Sequence, residues 1–370
     1  MSSRDYRVEF YPSNKIDLEQ ENLDDFFKFM YERHEIWRRR FIHKLPQEKW
    51  TDDLILKSYK YTNVYRELDR GTVWYLDKIC NSYCKEHERI ILAKFNIKNH
   101  NFDLFKKLVW ETIIYRLCNR IETFEEVGFP DLNNYDDTIL HNPFWMKLET
   151  IANRGEAVLT SAHLSCPTPA GRTKVEGYMA AVNDLHQNLD ALCRDVINSK
   201  TSKEVFDNLC SIYCVGNFIG YEVLCDLIYS SSIGDRTADI PFTLDDWANV
   251  GPGATEGIRL IYPSTTGKKN IYARMVQLRD EQEIHLNRLG IKFNFYERFT
   301  KGHLSLRTIE HSLCEDSKIW LQRRNLGKQR MILQPNDKLR FRTLEKMFII
   351  DPETGDTGKY LYKDGSIKDD

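Results

Sequence analysis

Apolar positions recur at spacings of three, four and seven residues through most of this chain. In residues 17–43 the series Leu23, Phe26, Phe27, Phe29, Met30, Ile36, Trp37 and Phe41 keeps that rhythm, which is the period of an amphipathic helix and not of a strand. The same pattern predicts helices over 52–60, 72–93, 103–121, 143–152, 172–198, 203–213, 217–231 and 269–289. The turn Thr51-Asp52-Asp53 has the form of an N-cap for the second of these. Stretches rich in Pro, Gly, Asn and Asp at 128–142 and 163–172 read as loops. Strand signals are few: FIIDPETGDTGKYLYKDG reads as a β-hairpin around Gly355, and KQRMILQP reads as a strand. The expected fold class is therefore mainly α, one bilobed helical unit with a short C-terminal β-hairpin. A polar arm is expected over 1–15, the helical domain over 16–335 and an extension over 336–370. No internal repeat or low-complexity linker interrupts it.

Composition narrows the function. Hydrophobic residues make up 41% of the chain and aromatics 12%, enough for a packed core and unlike a disordered segment. The 53 basic and 55 acidic residues leave a net charge of −2, so any nucleic-acid site must be a local basic patch. Arg38, Arg39 and Arg40, at the end of the first helix, form one such cluster. The nine cysteines include no CxxC pair; Cys80/Cys84 and Cys210/Cys214 are spaced CxxxC, which fits neither a zinc site nor an iron–sulfur cluster. No metal is expected. An odd cysteine count without a signal peptide points to reduced thiols. The expected location is intracellular: nuclear or cytoplasmic, or host cytoplasm for a viral protein. No apolar run of about 18 residues is present, so no membrane span is expected.

Candidate chemistry concentrates in residues 206–257. FDNLCSIYCVGNFIGYEVLCDLIYSS reads as a helix, a tight turn at Cys214-Val215-Gly216-Asn217 and a second helix, a hairpin near 210–226. Gly216 permits a turn that aims successive backbone N–H groups outward, and the following helix adds its positive end, so Gly216 and Asn217 suit a DNA phosphate. An ordinary helical hairpin with a glycine cap gives the same pattern. Next comes LDDWANVGPGATEG, a Gly-Pro loop near 245–257 in which Asp245 and Asp246 precede Gly251-Pro252-Gly253. A carboxylate there suits a general base beside an extruded base, and Gly251 and Gly253 allow close approach of a backbone. Either Asp equally suits a helix cap.

Two further segments carry guanidiniums. In YTNVYRELDRGT (61–72), a helix would align Asn63, Arg66 and Arg70, with Asp69 beside Arg66. In YRLCNRIET (115–123), Arg116, Asn119 and Arg120 would share a face. Such faces suit pyrophosphate or a DNA backbone, and they suit a solvated face stitched by ion pairs as well. HSLCEDSK (311–318) adds His311, Cys314, Glu315 and Lys318. The TTGKK at 265–269 lacks the P-loop pattern, so the chain gives no basis for an ATP-dependent kinase.

Five segments occur in one order: PQEKWTDDLILKSYKYTNVYRELDR, IIYRLCNRIET, LCSIYCVGNFIGYEVLCDL, DDWANVGPGATEGI and SLCEDSK. This set, spanning about residues 28–335, resembles the α-glutamyl/putrescinyl-thymine pyrophosphorylases of phages and eukaryotes. It is equally similar to the helical domain attached to 5-hydroxymethyluracil DNA kinases. The resemblance implies a fold derived from the helix-hairpin-helix DNA glycosylases and an enzyme that modifies bases in DNA. An amine (amino acid or polyamine) would displace pyrophosphate from a 5-(pyrophosphoryloxymethyl)uracil base, with no cofactor.

In that scheme Asp246 or Asp245 is the base. Arg66, Arg70, Arg116 and Arg120, with Asp69 and Glu315 nearby, would handle the pyrophosphate, and Asn63 and Asn119 would read the base. Gly216, Asn217, Gly251, Gly253 and Arg38–Arg40 would hold DNA. The turn reads Cys-Val-Gly where glycosylase relatives have Gly-Val-Gly, and Phe218 stands where lyase-type glycosylases place a Schiff-base lysine. That argues against strand cleavage. The competing readings are a glycosylase for a modified pyrimidine and a non-catalytic module that binds modified DNA. The partners expected are DNA carrying modified thymine or uracil and a small amine, with no membrane.

Overall fold

The computed structural model describes residues 15–92, 97–160, 173–232, 240–295, 302–323, 346–350, 357–362 and 367–369. The arm over 1–15 falls almost wholly outside the described residues, as do the 163–172 loop, Gly355 and the KQRMILQP segment. The described chain is mainly helical, as its periodicity predicts. In chain order the helices are α1 (Lys15–Trp37), α2 (Leu54–Ser58), α3 (Arg70–Tyr75), α4 (Asn81–Leu92), α5 (Ile97–Cys118), α6 (Ile121–Val127) and α7 (Pro143–Asn153). Then follow α8 (Lys174–Asn198), α9 (Ser202–Leu209), α10 (Asn217–Ser232), α11 (Pro252–Ile261), α12 (Lys268–Asp280), α13 (Gln282–Arg288) and α14 (Leu306–Arg323). Strands β1 (Lys346–Ile350), β2 (Thr357–Tyr362) and β3 (Ile367–Asp369) pair antiparallel in the order β1-β2-β3.

Capping chemistry places several helix starts. Asp53 accepts from Ile55 N at 2.8 Å and Leu56 N at 3.0 Å, satisfying two donors that the first turn of α2 leaves open. Thr173 and Glu176 form a reciprocal capping box at α8. Pro252 begins α11, where its missing N–H costs nothing.

Two expected helical faces do not form. Residues 61–65 are not helical, Arg66–Leu68 is a single 3-10 turn, and α3 starts only at Arg70. Thr62 and Val64 are β-branched and Asn63 is a poor helix former. Their backbone bonds go to side chains: Thr62 N donates to Glu315 at 3.4 Å and Arg33 donates to Tyr61 O at 2.9 Å. Arg116, Asn119 and Arg120 do not share a helix either. The helix α5 stops at Cys118, Asn119 is left-handed (φ 47°), and Arg120 is the extended N-cap of α6. Asparagine tolerates that conformation, so it can end a helix where most residues cannot.

The chain divides into two compact units, Met1–Arg66 with Ala248–Leu339, and Glu67–Trp247 with Arg340–Asp370. In the first, α1 packs on α11, α13 and α14 through Phe26, Phe27 and Met30, all fully buried. The closest packing is α11 on α14. A Cβ added to Gly257 would run into the Leu313 carbonyl, and one added to Gly253 into Cys314. In the second unit α5 is the central element, packed on α4, α8 and α10, with Trp110, Ile113, Ile114 and Tyr115 buried.

Candidate functional site

In the second unit, the α9–α10 pair is joined by the turn that carries Gly216. Gly220 sets how closely the two helices meet: an added Cβ there would lie 2.6 Å from Cys210 Sγ and 3.6 Å from Phe206. The left-handed residue of the turn is Cys214 (φ 68°), not Gly216. Asp184 Oδ2 accepts from Tyr213 N at 2.8 Å, and buried Val215 donates to Ile212 O at 3.0 Å. Gly216 and Asn217 stand exposed at the start of α10, and a Cβ on Gly216 would meet no atom within 4 Å. The start of α10 thus lies at the surface, and a helix N-terminus is a setting suited to an anion.

Asp245 and Asp246 are held against this pair. Trp247 packs its ring 4.9 Å from Phe206 of α9 and 5.7 Å, edge-on, from Tyr221 of α10. Leu244 and Ile240 are buried beneath the same segment. Asp246 is exposed, and its carboxylate accepts from Thr243 N at 2.6 Å, so it closes the turn it sits in. Asp245 is half-buried, its backbone N–H donating to Thr243 Oγ1 at 3.2 Å.

Arg70, Asn119 and Arg120 meet at another point of the same unit. Gly71 allows it: a Cβ there would lie 3.2 Å from Tyr115 Oη and 3.9 Å from Asn119 Oδ1. Arg70 donates to Glu122 at 2.8 Å. Burial raises the Glu122 pKa, but hydrogen bonds from the backbone and from Arg70 more than offset it, and the net shift is downward. Arg120 is half-buried, and its guanidinium makes no hydrogen bond or ion pair among the described residues. Arg116 behaves differently. It is 5% exposed and forks onto Asp226, itself fully buried, at 2.5 and 2.6 Å. Burial disfavours its charge, Asp226 overcomes this, and its pKa is raised. Its guanidinium is committed to a structural pair. Asp69 is the N-cap of α3 and makes no side-chain capping bond there.

In the first unit, a buried polar stripe runs along α14 beneath residues 61–66. Arg33 donates to both Tyr61 O and Asn63 Oδ1 at 2.9 Å. Arg307 donates to Glu310 at 3.2 Å, and Lys318 donates to Glu315. His311 faces the carbonyls of Arg307 at 3.0 Å and Asn63 at 3.1 Å. Burial, then the charges of Arg307 and Arg66, pull its pKa down to about 3. The ring is neutral near pH 7 and donates to one of those carbonyls only. Glu310 lies against the Gly-Pro turn, since a Cβ on Gly251 would lie 3.8 Å from its Oε1.

Arg33, Arg307 and Glu310 escape sequence reasoning, because a charged stripe on a helix ordinarily faces solvent. The basic cluster is engaged locally. Arg38 pairs with Glu35 at 3.0 Å, Arg39 with Glu32 at 2.8 Å, and Arg40 lies over the Trp50 ring at 4.3 Å. Among the described residues, no group of three His, Cys, Asp or Glu side chains is placed to hold a metal ion, and no helix is long and apolar enough to cross a membrane.

Comparison with known proteins places this framework. The family model described as "5-hmdU DNA kinase, helical domain" matches residues 20–326. A protein named 5-hmdU DNA kinase from Bacillus phage SP10 is 30% identical over 309 residues, covering 80% of this chain and 44% of the phage protein. The chain thus spans less than half the length of that curated relative. No solved structure matches it. On the strength of a match that runs from α1 to α14, the chain belongs to the family of 5-hmdU DNA kinase helical domains.

Proposed function

We propose that this chain is a transferase acting on hypermodified thymine in DNA, displacing pyrophosphate from 5-(pyrophosphoryloxymethyl)uracil with an amine. The observation that carries the reading is the family match over residues 20–326, whose description names a helical domain of enzymes acting on 5-hmdU DNA. The phage relative is named a kinase for the same base. A phosphoryl group on the 5-hydroxymethyl oxygen would be a first activation of the carbon that the proposed reaction attacks. The five ordered sequence segments resemble the pyrophosphorylases and the kinase helical domains equally, and the pyrophosphorylase reaction is the finer reading proposed here.

In this reading the amine nitrogen attacks the methylene carbon, the carbon–oxygen bond breaks and pyrophosphate departs with its electron pair. Asp245 takes the proton of the incoming amine, while Asp246 holds the turn through Thr243. Arg120, with Arg70 beside it, meets the charge gathering on the leaving group. Asn119 reads the extruded base, and Gly216 and Asn217 receive the DNA backbone. Asn63, Arg66, Glu315, Gly251, Gly253 and Arg38–Arg40 remain proposed DNA or substrate contacts of the first unit.

The test is release of pyrophosphate from DNA containing the activated base, followed with and without an amine pool. Release that requires the amine supports the reading. Loss of the base to an abasic site would establish a glycosylase instead, and binding without either reaction would establish a recognition module. Phosphate transfer from ATP onto 5-hydroxymethyluracil by this chain alone would assign it the kinase step and overturn the proposal.

A further inference from the structure

Residues 61–65 run without helix over the polar stripe of α14, within the first unit. Three side chains hold them. Arg33 of α1 donates to Tyr61 O and to Asn63 Oδ1, both at 2.9 Å. His311 lies 3.1 Å from Asn63 O, and Glu315 accepts from Thr62 N at 3.4 Å. All three are buried. Burying a guanidinium, an imidazole and a carboxylate to fix one short segment is costly, and apolar side chains would serve a purely structural segment as well.

Arg33 does more than hold Asn63, because it sets which end of the amide faces it. A guanidinium only donates. The amide end against Arg33 is therefore the carbonyl oxygen, and the NH2 end is turned away from it. Asn63 is thereby presented as a donor, and it is only half-buried. Arg66, also half-buried, follows three residues later. Its charge reaches the His311 ring that touches Asn63 O, so guanidinium and amide serve one neighbourhood. The stripe is cationic on balance. Arg33, Arg66, Arg307 and Lys318 stand against Glu310 and Glu315, and His311 is neutral near pH 7. Donors in a positive field suit an anionic oxygen, whereas a cation would meet like charge.

We propose that Asn63 Nδ2 and the Arg66 guanidinium together receive one phosphate group, and that Arg33 is the positioning residue that presents Asn63 as a donor. The inference rests on the reading of the chain as an enzyme of modified DNA. It deepens that reading by naming the group that Asn63 and Arg66 hold. A backbone phosphate of DNA and the phosphate of pyrophosphate share this chemistry, and the test separates them.

The experiment measures binding of the full chain to a fluorescent DNA duplex carrying 5-hydroxymethyluracil, by anisotropy, and to inorganic pyrophosphate, by titration calorimetry. The central variant is Asn63→Asp. It keeps the oxygen that accepts from Arg33 and turns an acceptor, in place of a donor, toward the phosphate. Tm is expected to stay at or above that of the parent, while affinity for one of the two ligands falls about tenfold or more. The ligand affected identifies the source of the phosphate. Arg66→Gln is expected to weaken the same ligand and, for DNA, to lower the slope of log affinity against log salt by about one. Arg33→Met is expected to weaken binding in the parent and to cost nothing further in Asn63→Ala, as a residue acting through Asn63 must. Circular dichroism checks that each variant folds. A further loss in Asn63→Ala would remove the positioning role from Arg33. Equal affinity of Asn63→Asp and the parent for both ligands would overturn the phosphate site alone. A parent chain that binds neither ligand would overturn it together with the proposed function.

Discussion

The Trp247 indole lies 4.9 Å from the Phe206 ring, and that contact fixes the carboxylates just before it to the helix pair whose turn carries Gly216. Trp247→Ala removes the anchor from both Phe206 and Tyr221. It is expected to cost about 2–4 kcal/mol of stability by denaturant titration. Pyrophosphate release should fall by more than the unfolded fraction explains. Trp247→Phe, which keeps an aromatic contact, should recover most of both.

Asp245 and Asp246 should separate in kinetics. Asp245→Asn is expected to lower kcat by about 100-fold or more, the usual scale for a general base. Asp246→Asn keeps an oxygen able to accept from Thr243 N and should stay within about threefold of the parent. Reversed effects would give the base role to Asp246.

The two arginines flanking Asn119 should differ in kind. Arg116→Met strands the buried Asp226 carboxylate and is expected to destabilise the chain by about 3–5 kcal/mol, read as a fall in Tm. Arg120→Ala breaks no ion pair among the described residues. It should leave Tm nearly unchanged while weakening binding of pyrophosphorylated DNA.

Helix contact makes a sharper structural prediction. Gly257→Ala forces the α11 backbone away from the Leu313 carbonyl and should cost about 1–3 kcal/mol. Gly216→Ala meets no neighbour, so thermal unfolding should scarcely change.

Burial raises the Glu111 pKa from 4.5 to about 6, opposed by Lys107. A carboxyl whose folded pKa is raised binds its proton more tightly in the folded chain. Its contribution to stability is full below pH 4.5 and is lost as pH rises through 6. Glu111→Gln is therefore expected to be more stable than the parent by about 1–2 kcal/mol at pH 7–8, with the gain vanishing near pH 4.5.

Most helices were legible because their apolar rhythm is local: α1, α5, α8 and α10 follow directly from spacing. Residues 61–69 were not, because what decides their path is distant. Glu315 and Arg33 take the backbone bonds that a helix would have used, and no window around Asn63 reveals that. Asn119 ends α5 through a left-handed turn that its sequence permits but does not require. The Asp pair and the turn at Gly216 were visible as motifs, whereas the Trp247 contact that holds one to the other depends on packing. The α14 stripe was hidden for a different reason: Arg307, Glu310 and Glu315 look like a solvated face until residues 61–66 lie over them.

The most direct measurement is nucleoside mass spectrometry. The purified chain would be incubated with DNA carrying 5-(pyrophosphoryloxymethyl)uracil and a pool of amino acids and polyamines, and the DNA digested. The expected product is a new nucleoside whose mass equals that of the base methylene joined to one amine, absent with Asp245→Asn. Recovery of unchanged substrate, or of an abasic site in place of the base, would contradict it.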